Sequence, residues 1–454
     1  MFGSRFIVVL EPNIMEVKSL KELQDIFDRY LLLEDRDVVK VLVGTVIANQ
    51  IDSMDPVWIL LVAASSGGKS ELLQAFNDIV DSRSKKKIIT PISDLTPNTF
   101  ASGQVRVGEE TSLLHKMPRG GIMSFKDFTS ILSKNDDAKR EIMSQLREIY
   151  DGFYDKLTGN SKNVNWRGKL GALAGCTEVI YEHLESLSAM GDRFAMYSIT
   201  QPDRKEVLGF VINQRRQNVD KEESRADLRA ATKNYVEFIL ENKEKVNLTI
   251  SQKTEDEIIE MADFCTKVRS GVIMDDRFNR VNFVPTKEMP MRLVDQLISL
   301  GTAFVIMRNV ENLVRGAPMV TDLDMTDIAI LRKIAFDSIP IKRRMALKLL
   351  ATYALGARTA GLATKIGYET KVIGGWLSQL NGLGICDREK KGGPQGDLWS
   401  LKNEYAETMI KFEHIKVIDE LLEDKSIVEN AEDAFVEQTD YPSDEDVERQ
   451  FLSM

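Results

Sequence analysis

The stretch WILLVAASSGGKSELL, Trp58 to Leu73, restricts the fold more than any other part of this chain. Val57 to Ala63 is an apolar run of strand length with no alternation, the pattern of a strand buried on both faces of a parallel sheet. Leu72, Leu73, Phe76, Ile79 and Val80 then recur at helical spacing, predicting a helix through KSELLQAFNDIV. A buried strand running through a small-residue loop into a helix is the setting of a phosphate-binding loop. The formula GxxxxGK[ST] is matched at Gly68-Lys69-Ser70, with Ala63 standing where the first glycine would be. Alanine serves there if the backbone keeps a negative φ. The nucleotide-binding candidates are Ser65, Ser66, Gly67, Gly68, Lys69, Ser70 and Glu71. Lys69 is expected to face solvent and reach the β- and γ-phosphates, with the Ser70 hydroxyl on Mg²⁺.

A chain of 454 residues exceeds one ordinary core, so several domains are expected. Cys176, Cys265 and Cys386 are scattered, as are His115, His183 and His414, which argues against a disulfide framework or a zinc cluster. No apolar run reads as long enough to span a bilayer, and the N-terminus lacks a signal-peptide pattern, so a cytoplasmic protein without membrane contact is expected. The net charge of −10 is uneven. Glu413 to Met454 holds 14 acidic and 3 basic residues, net −11, whereas Pro340 to Lys402 holds 11 basic and 4 acidic, net +7. A basic module beside an acidic tail points to nucleic acid for the module and a protein partner for the tail.

Further along, RGGIMSFKDF sets two glycines, an apolar strand, then Lys126, Asp127 and Phe128. With the phosphate loop, this resembles the AAA+ ATPases, in particular the helicase branch that includes minichromosome-maintenance proteins and replicative ATPases of phages and mobile elements. Their pattern ends in Asp-Glu-Phe, so Lys126 occupies the place of the metal-side acid. Either Asp127 serves both metal and catalysis, or the register slips by one, or hydrolysis is weak. The resemblance implies ATP and Mg²⁺ as ligands, with Ser70 and Asp127 at the metal. It further implies Thr177, at the end of GKLGALAGCTEV, as a polar sensor of the γ-phosphate. Arg193, in AMGDRFAMYSI, takes the place of an arginine finger that reaches a neighbouring subunit. Arg292 takes the place of a second sensor arginine, with Arg308 and Arg280 as alternatives.

YDGFYDKLTGNSKNVNWRGKL carries the alternation and the Gly-Asn turn of a β-hairpin. The same family places a hairpin before its sensor strand, facing a central pore, where Lys156, Lys162 and Arg167 would meet single-stranded DNA. Between Arg344 and Leu401 the order helix, short helix, tight turn, second helix and hairpin resembles a winged helix. Leu362, Ala363, Ile366, Val372 and Leu377 form its inward face, and Lys371, Gln379, Arg388, Lys390 and Lys391 could meet duplex DNA. Some winged helices bind only proteins, so that alternative stays open.

The expected fold is thus α/β: a helical extension over 1–50, an AAA+ P-loop core over 51–200, and an α-helical lid with connecting helices over 201–325. A winged helix over 326–402 and a C-terminal helix with an acidic tail over 403–454 complete it. The expected function is an ATP-driven helicase or origin initiator of a mobile element, acting as a homo-oligomer such as a hexameric ring. A helicase loader and a nucleotide-switched DNA-binding regulator are the alternatives.

Overall fold

The computed structural model describes residues 16–65, 67–100, 112–157, 163–181, 193–247, 249–275, 280–391, 396–418 and 422. The described residues fall into two compact units, one within Met1–Thr266 and Glu288–Ile339, the other within Lys267–Lys287 and Pro340–Met454.

In the first unit, α1 (Leu20–Tyr30) and α2 (Asp37–Asn49) lead to β1 (Trp58–Val62), the loop and α3 (Lys69–Gln74). β2 (Ile89–Ile92), α4 (Leu113–Lys116), β3 (Gly121–Phe125), α5 (Thr129–Leu132) and α6 (Asp136–Tyr150) follow. A hairpin of β4 (Phe153–Leu157) and β5 (Asn163–Arg167) precedes β6 (Leu170–Cys176) and β7 (Ala195–Ser198). Helices then dominate: α7 (Arg204–Arg216), α8 (Lys221–Asn242) and α9 (Gln252–Arg269). After β8 (Ile273–Asp275) and β9 (Arg280–Phe283), α10 (Met291–Arg315) and α11 (Met325–Asp337) close the unit.

Five strands make one parallel sheet in the order β2-β3-β6-β1-β7. β1, β3 and β6 are buried along their whole length, as their unbroken apolar runs require. Alternation splits the strands between two cores. Trp58, Leu60, Val62, Met123, Phe125, Ala172 and Ala174 face the layer holding Ile142, Leu146 and Tyr150 of α6 and Tyr154 and Trp166 of the hairpin. Of the helices packed on the other face, α2 lies close against α10. Gly44 permits this: a Cβ there would stand 2.5 Å from the Phe304 ring. β7 is the sheet edge beyond β1, and its N–H groups are covered, Met196 donating to Ser338 Oγ (3.1 Å) and Ser198 to Asp337 (2.8 Å).

The structure places several boundaries elsewhere than the sequence suggests. Within the 1–50 extension, α2 does pack against the sheet, being buried from Val38 to Asn49 apart from Lys40. α11 packs beside β7, so residues 326–339 belong with the sheet and not with the basic module. Helix α3 ends at Gln74, and Phe76 and Ile79 reach the core from turns. Asn77 and Asp78 favour such turns over a helix interior. The 25-residue α10 is, among the described residues, long and apolar enough to cross a membrane, contrary to the expectation from sequence, yet 83% of its apolar window is buried in the protein. It reads as a core helix that needs apolar residues on all sides.

A charge network centred on a buried carboxylate joins α2, α10 and α11. Asp327 has no solvent exposure and pairs with Lys40 and Arg308, while Arg308 also reaches Asp324 (2.6 Å). Arg308, one alternative for a phosphate sensor, is therefore committed to this network.

Lys169, just before β6, is buried and donates to the Ala48 (3.2 Å) and Ile51 (2.7 Å) carbonyls at the end of α2. Burial pushes its ammonium down from 10.5 to about 8. Between those values the unfolded chain holds the extra proton, so stability should rise as pH rises through this window. The buried thiols of Cys176 and Cys386, pushed up to about 11 and about 12, oppose the trend above pH 9. Tyr30, held up to about 12 chiefly by its hydrogen bond to Asp227, and Tyr154, raised to about 12 by burial, add to that above pH 10. From pH 7.5 to 9.5 the wild-type chain should gain about 1–2 kcal/mol relative to Lys169→Met in denaturant titrations. A pH-independent difference between the two would remove Lys169 as the cause.

The second unit contains α12 (Ile341–Thr352), β10 (Ala357–Arg358), α13 (Thr359–Ile366), α14 (Thr370–Gly382), β11 (Cys386–Glu389), β12 (Leu398–Leu401) and α15 (Asn403–Glu413). Its antiparallel sheet has the order β10-β12-β11. The β8–β9 hairpin, in a region read as an α-helical lid with connecting helices, joins this unit: Val281 and Val284 crowd Gly382 of α14. On α14 the inward residue is Ile373; Val372, expected inside, is exposed. The helix expected through YAETMIKFEHIKVIDELLED stops at Glu413, where His414 takes a left-handed φ of 52°. Ile418 then pairs with Tyr353, and Leu422, fully buried, with Ala357.

Candidate nucleotide site and basic surfaces

The phosphate loop leaves the carboxyl end of β1, between β6 on one side and β7 on the other. From β1 the chain crosses to the far edge at β2, so this is the point where the winding of the sheet changes direction, the place where open α/β sheets bind ligands. Gly68 has φ of 77°, a value that costs a side-chain-bearing residue, and no atom lies within 4 Å of where its Cβ would be. A Cβ on Gly67 would meet Gln201 Oε1 at 2.8 Å and the Ala64 carbonyl at 3.0 Å. The glycines thus keep one wall tight and leave space open at the start of α3. Gln201, beyond β7, is a neighbour of the loop that no sequence pattern marked.

Lys69 does not face solvent as expected. It is half-buried, and its Nζ donates to the carbonyls of Ala63 (2.6 Å) and Ala64 (2.7 Å). Burial lowers its pKa, against the pull of Cys176, Asp127 and Glu178. Ser70 is half-buried in the first turn of α3, Ser65 is exposed, and Ser66 lies outside the described residues. Glu71 is engaged by Arg225 of α8, through bonds of 2.6 and 2.9 Å. Those residues are 154 positions apart, and nothing local in the sequence announces the pair.

Across from the loop, β3 ends in exposed Lys126 and Asp127. Asp127 Oδ1 accepts from the Thr129 N–H (2.9 Å). β6 ends in Cys176, whose thiol contacts Thr129 Oγ1 (3.3 Å) and is pushed up to about 11 by burial. The next residue, Thr177, is half-buried and donates its N–H to Thr129 Oγ1 (3.4 Å). Gly175 lets this corner close, with the Lys126 carbonyl 2.9 Å and Lys69 Cβ 3.6 Å from where its own Cβ would be. The ends of β1, β3 and β6 thus bring Lys69, Asp127 and Thr177 to one side of the sheet.

Arg193 stands at the other end of the sheet, two residues before β7. It is 8% exposed, pairs with Asp151 (3.0 Å) and lies over the Tyr150 ring at 5.8 Å. Arg292, at the start of α10, and Arg147 of α6 are close enough to lower the Arg193 pKa, though burial is the larger cause. The three arginines form one positive cluster. Arg280, the remaining sensor alternative, belongs to the second unit.

The predicted hairpin is present, paired from Phe153–Arg167 to Leu157–Asn163. Lys156 is bound to Glu141 (3.0 Å), and Arg167 is held by Asp155 through bonds of 2.8 and 2.6 Å. Lys162 lies outside the described residues. In the second unit, Lys371 and Lys390 are exposed. Lys391 pairs with Glu389, Arg388 pairs with Asp397 and covers the Trp399 ring (5.1 Å), and Gln379 accepts from Arg343 (2.8 Å).

No protein-family profile matches the chain. No curated protein is significantly similar to it.

The loop residues fit a nucleoside triphosphate: open space at Gly68, close backbone at Gly67, and an ammonium resting on carbonyls that a phosphate could replace. Among the described residues no three His, Cys, Asp or Glu side chains gather as a metal site. A phosphate-bound Mg²⁺ needs fewer, since it keeps several waters and takes one or two carboxylates. Ser70, a hydroxyl, and Asp127, a single carboxylate, are residue types such an ion takes.

Proposed function

We propose that this chain is an ATP-dependent, DNA-acting ATPase that works as a head-to-tail homo-oligomer, similar in plan to helicase-branch AAA+ proteins. One observation carries this reading: the phosphate loop and the arginine cluster lie at opposite ends of one parallel sheet. β1 has five residues, which span roughly 17 Å. Arg193 therefore serves a phosphate only in a neighbouring subunit, and copies stacked end to end would bring each arginine cluster to the next loop.

In that arrangement Lys69 and the N–H groups of Gly67 and Gly68 bind and orient the triphosphate. Ser70 and Asp127 would hold Mg²⁺, which would supply charge neutralisation for the phosphate oxygens. Asp127 orients the attacking water and accepts its proton, and Thr177 fixes the water from the adjacent strand end. Arg193 and Arg292 of the neighbour stabilise the transferred phosphoryl group, worth several orders of magnitude in rate for such arginines. Asp151 must release Arg193 first. The order of helices and strands in the second unit supports a winged helix, and the net charge of +7 over Pro340–Lys402 suits duplex DNA. Single-stranded DNA would follow the hairpin.

Lys126 beside Asp127, and Arg193 locked on Asp151, favour a second reading, a nucleotide-switched DNA-binding regulator. ATP turnover by the full-length chain, with and without single-stranded DNA, separates the two. The motor reading expects DNA-stimulated turnover, loss of it in Asp127→Asn with binding kept, and partial recovery on mixing Lys69→Ala with Arg193→Ala. Nucleotide binding without turnover would establish the switch instead. A chain that stays monomeric with every nucleotide would end the trans role of Arg193.

A further inference from the structure

Arg225, bound to the first turn after the phosphate loop, is an arginine for which the function above has no use. It lies in the first turns of α8, and its Nη2 and Nε donate to both oxygens of Glu71, at 2.6 and 2.9 Å. Nη1 is held by Glu222 at 2.6 Å. Glu71 directly follows Lys69 and Ser70 in the first turn of α3. The pair therefore parks a guanidinium within one helical turn of the residues that take the phosphates.

Two further ties keep α8 along this segment. Arg229 pairs with Asp78 (3.2 Å), and Glu237 accepts the Val80 N–H (2.9 Å). With α8 fixed in this way, Arg225 needs only to turn its side chain to change partner. A guanidinium binds a carboxylate and a phosphate through the same two-pronged geometry, so the two compete for it directly. The pair is also easily given up. Arg225 and Glu71 are 33% and 30% exposed, and ion pairs so placed add little net stability. Lys126 and Lys221 also lower the Glu71 pKa, more weakly than Arg225 does.

We propose that Arg225 is the residue by which this site tells a nucleoside triphosphate from a diphosphate, with Glu71 as the positioning residue that holds it until a γ-phosphate replaces the carboxylate. This rests on the nucleotide reading of the loop. It gives a role to Glu71, which the sequence placed on the nucleotide itself, and it couples the bound phosphate to α8.

The test uses the full-length chain, with ATP and ADP competing against a fluorescent ADP. Arg225→Gln should weaken ATP about tenfold, the size of one charge-assisted contact, and leave ADP within about twofold. Arg225→Lys, which keeps the charge without the fork, should fall between. Glu71→Gln should tighten ATP several-fold with ADP unchanged, a gain that a merely structural tie does not give. Equal losses for ATP and ADP in Arg225→Gln, or weaker ATP binding in Glu71→Gln, would overturn the assignment. If the wild-type chain binds neither nucleotide, the loop reading fails first and the proposal falls with it. If Arg225→Gln does not fold, Glu71→Gln and Arg225→Lys still decide the matter.

Discussion

Replacing Lys69 with alanine should lower ATP affinity by more than about 100-fold and remove turnover, because two charge-assisted contacts to phosphate would be lost at about 1.5–3 kcal/mol each. The same substitution leaves the Ala63 and Ala64 carbonyls without the donor they have in the structure. Ala63 is buried and Ala64 half-buried, so water would replace the donor only by entering the space the lysine side chain leaves. With water there, the thermal midpoint should move by only a few degrees while binding collapses. Competition binding and a melting curve on one preparation check both halves. Affinity within threefold of wild type would show that Gly68-Lys69-Ser70 is a turn and nothing more.

Asp327→Ala should have the largest effect on stability. Its carboxylate is fully buried and faces both Lys40 and Arg308. Removing one partner of a buried ionic group costs about 3–5 kcal/mol, since the remaining charges stay desolvated. It also removes the capping box at the start of α11, where Asp324 and Asp327 satisfy each other's N–H groups. Denaturant titration should show a midpoint well below wild type. Lys40→Met and Arg308→Met added to Asp327→Leu should restore part of the loss, because an apolar set in the same space avoids desolvation altogether. A single-variant loss under 1 kcal/mol would mean that water reaches the network.

What the sequence disclosed was local. The run from Val57 to Ala63, the glycines before Lys69 and the Gly159-Asn160 turn signal each depend on neighbours in the chain, and the strands they predicted are present. Contacts made at long range were hidden. The β-strand order follows from crossovers that no single segment encodes. Arg225 and Glu71, or Arg193 and Asp151, look like ordinary surface charges until the fold brings them together. Val372 and Ile373 illustrate a subtler limit. Both are β-branched neighbours on α14, and only the packing partner decides which one turns inward. The Lys156 and Arg167 positions carried a basic signal, but charge counting cannot see that Glu141 and Asp155 stand opposite.

The β8–β9 hairpin has one more consequence, for the order in which this chain can fold. The second unit borrows residues 267–287, made well before the rest of it. Buried Arg343 donates to the carbonyls of Val268 (2.9 Å) and Ser270 (2.6 Å), and Gly382 packs on Val281. During synthesis the hairpin must wait, unmatched, through all of α10 and α11 until α12 and α14 emerge. A fragment cut at Pro340 would start without those acceptors and strand a buried guanidinium. The second unit is thus completed late, so the surface proposed for DNA is finished only after the sheet proposed to drive it has been made.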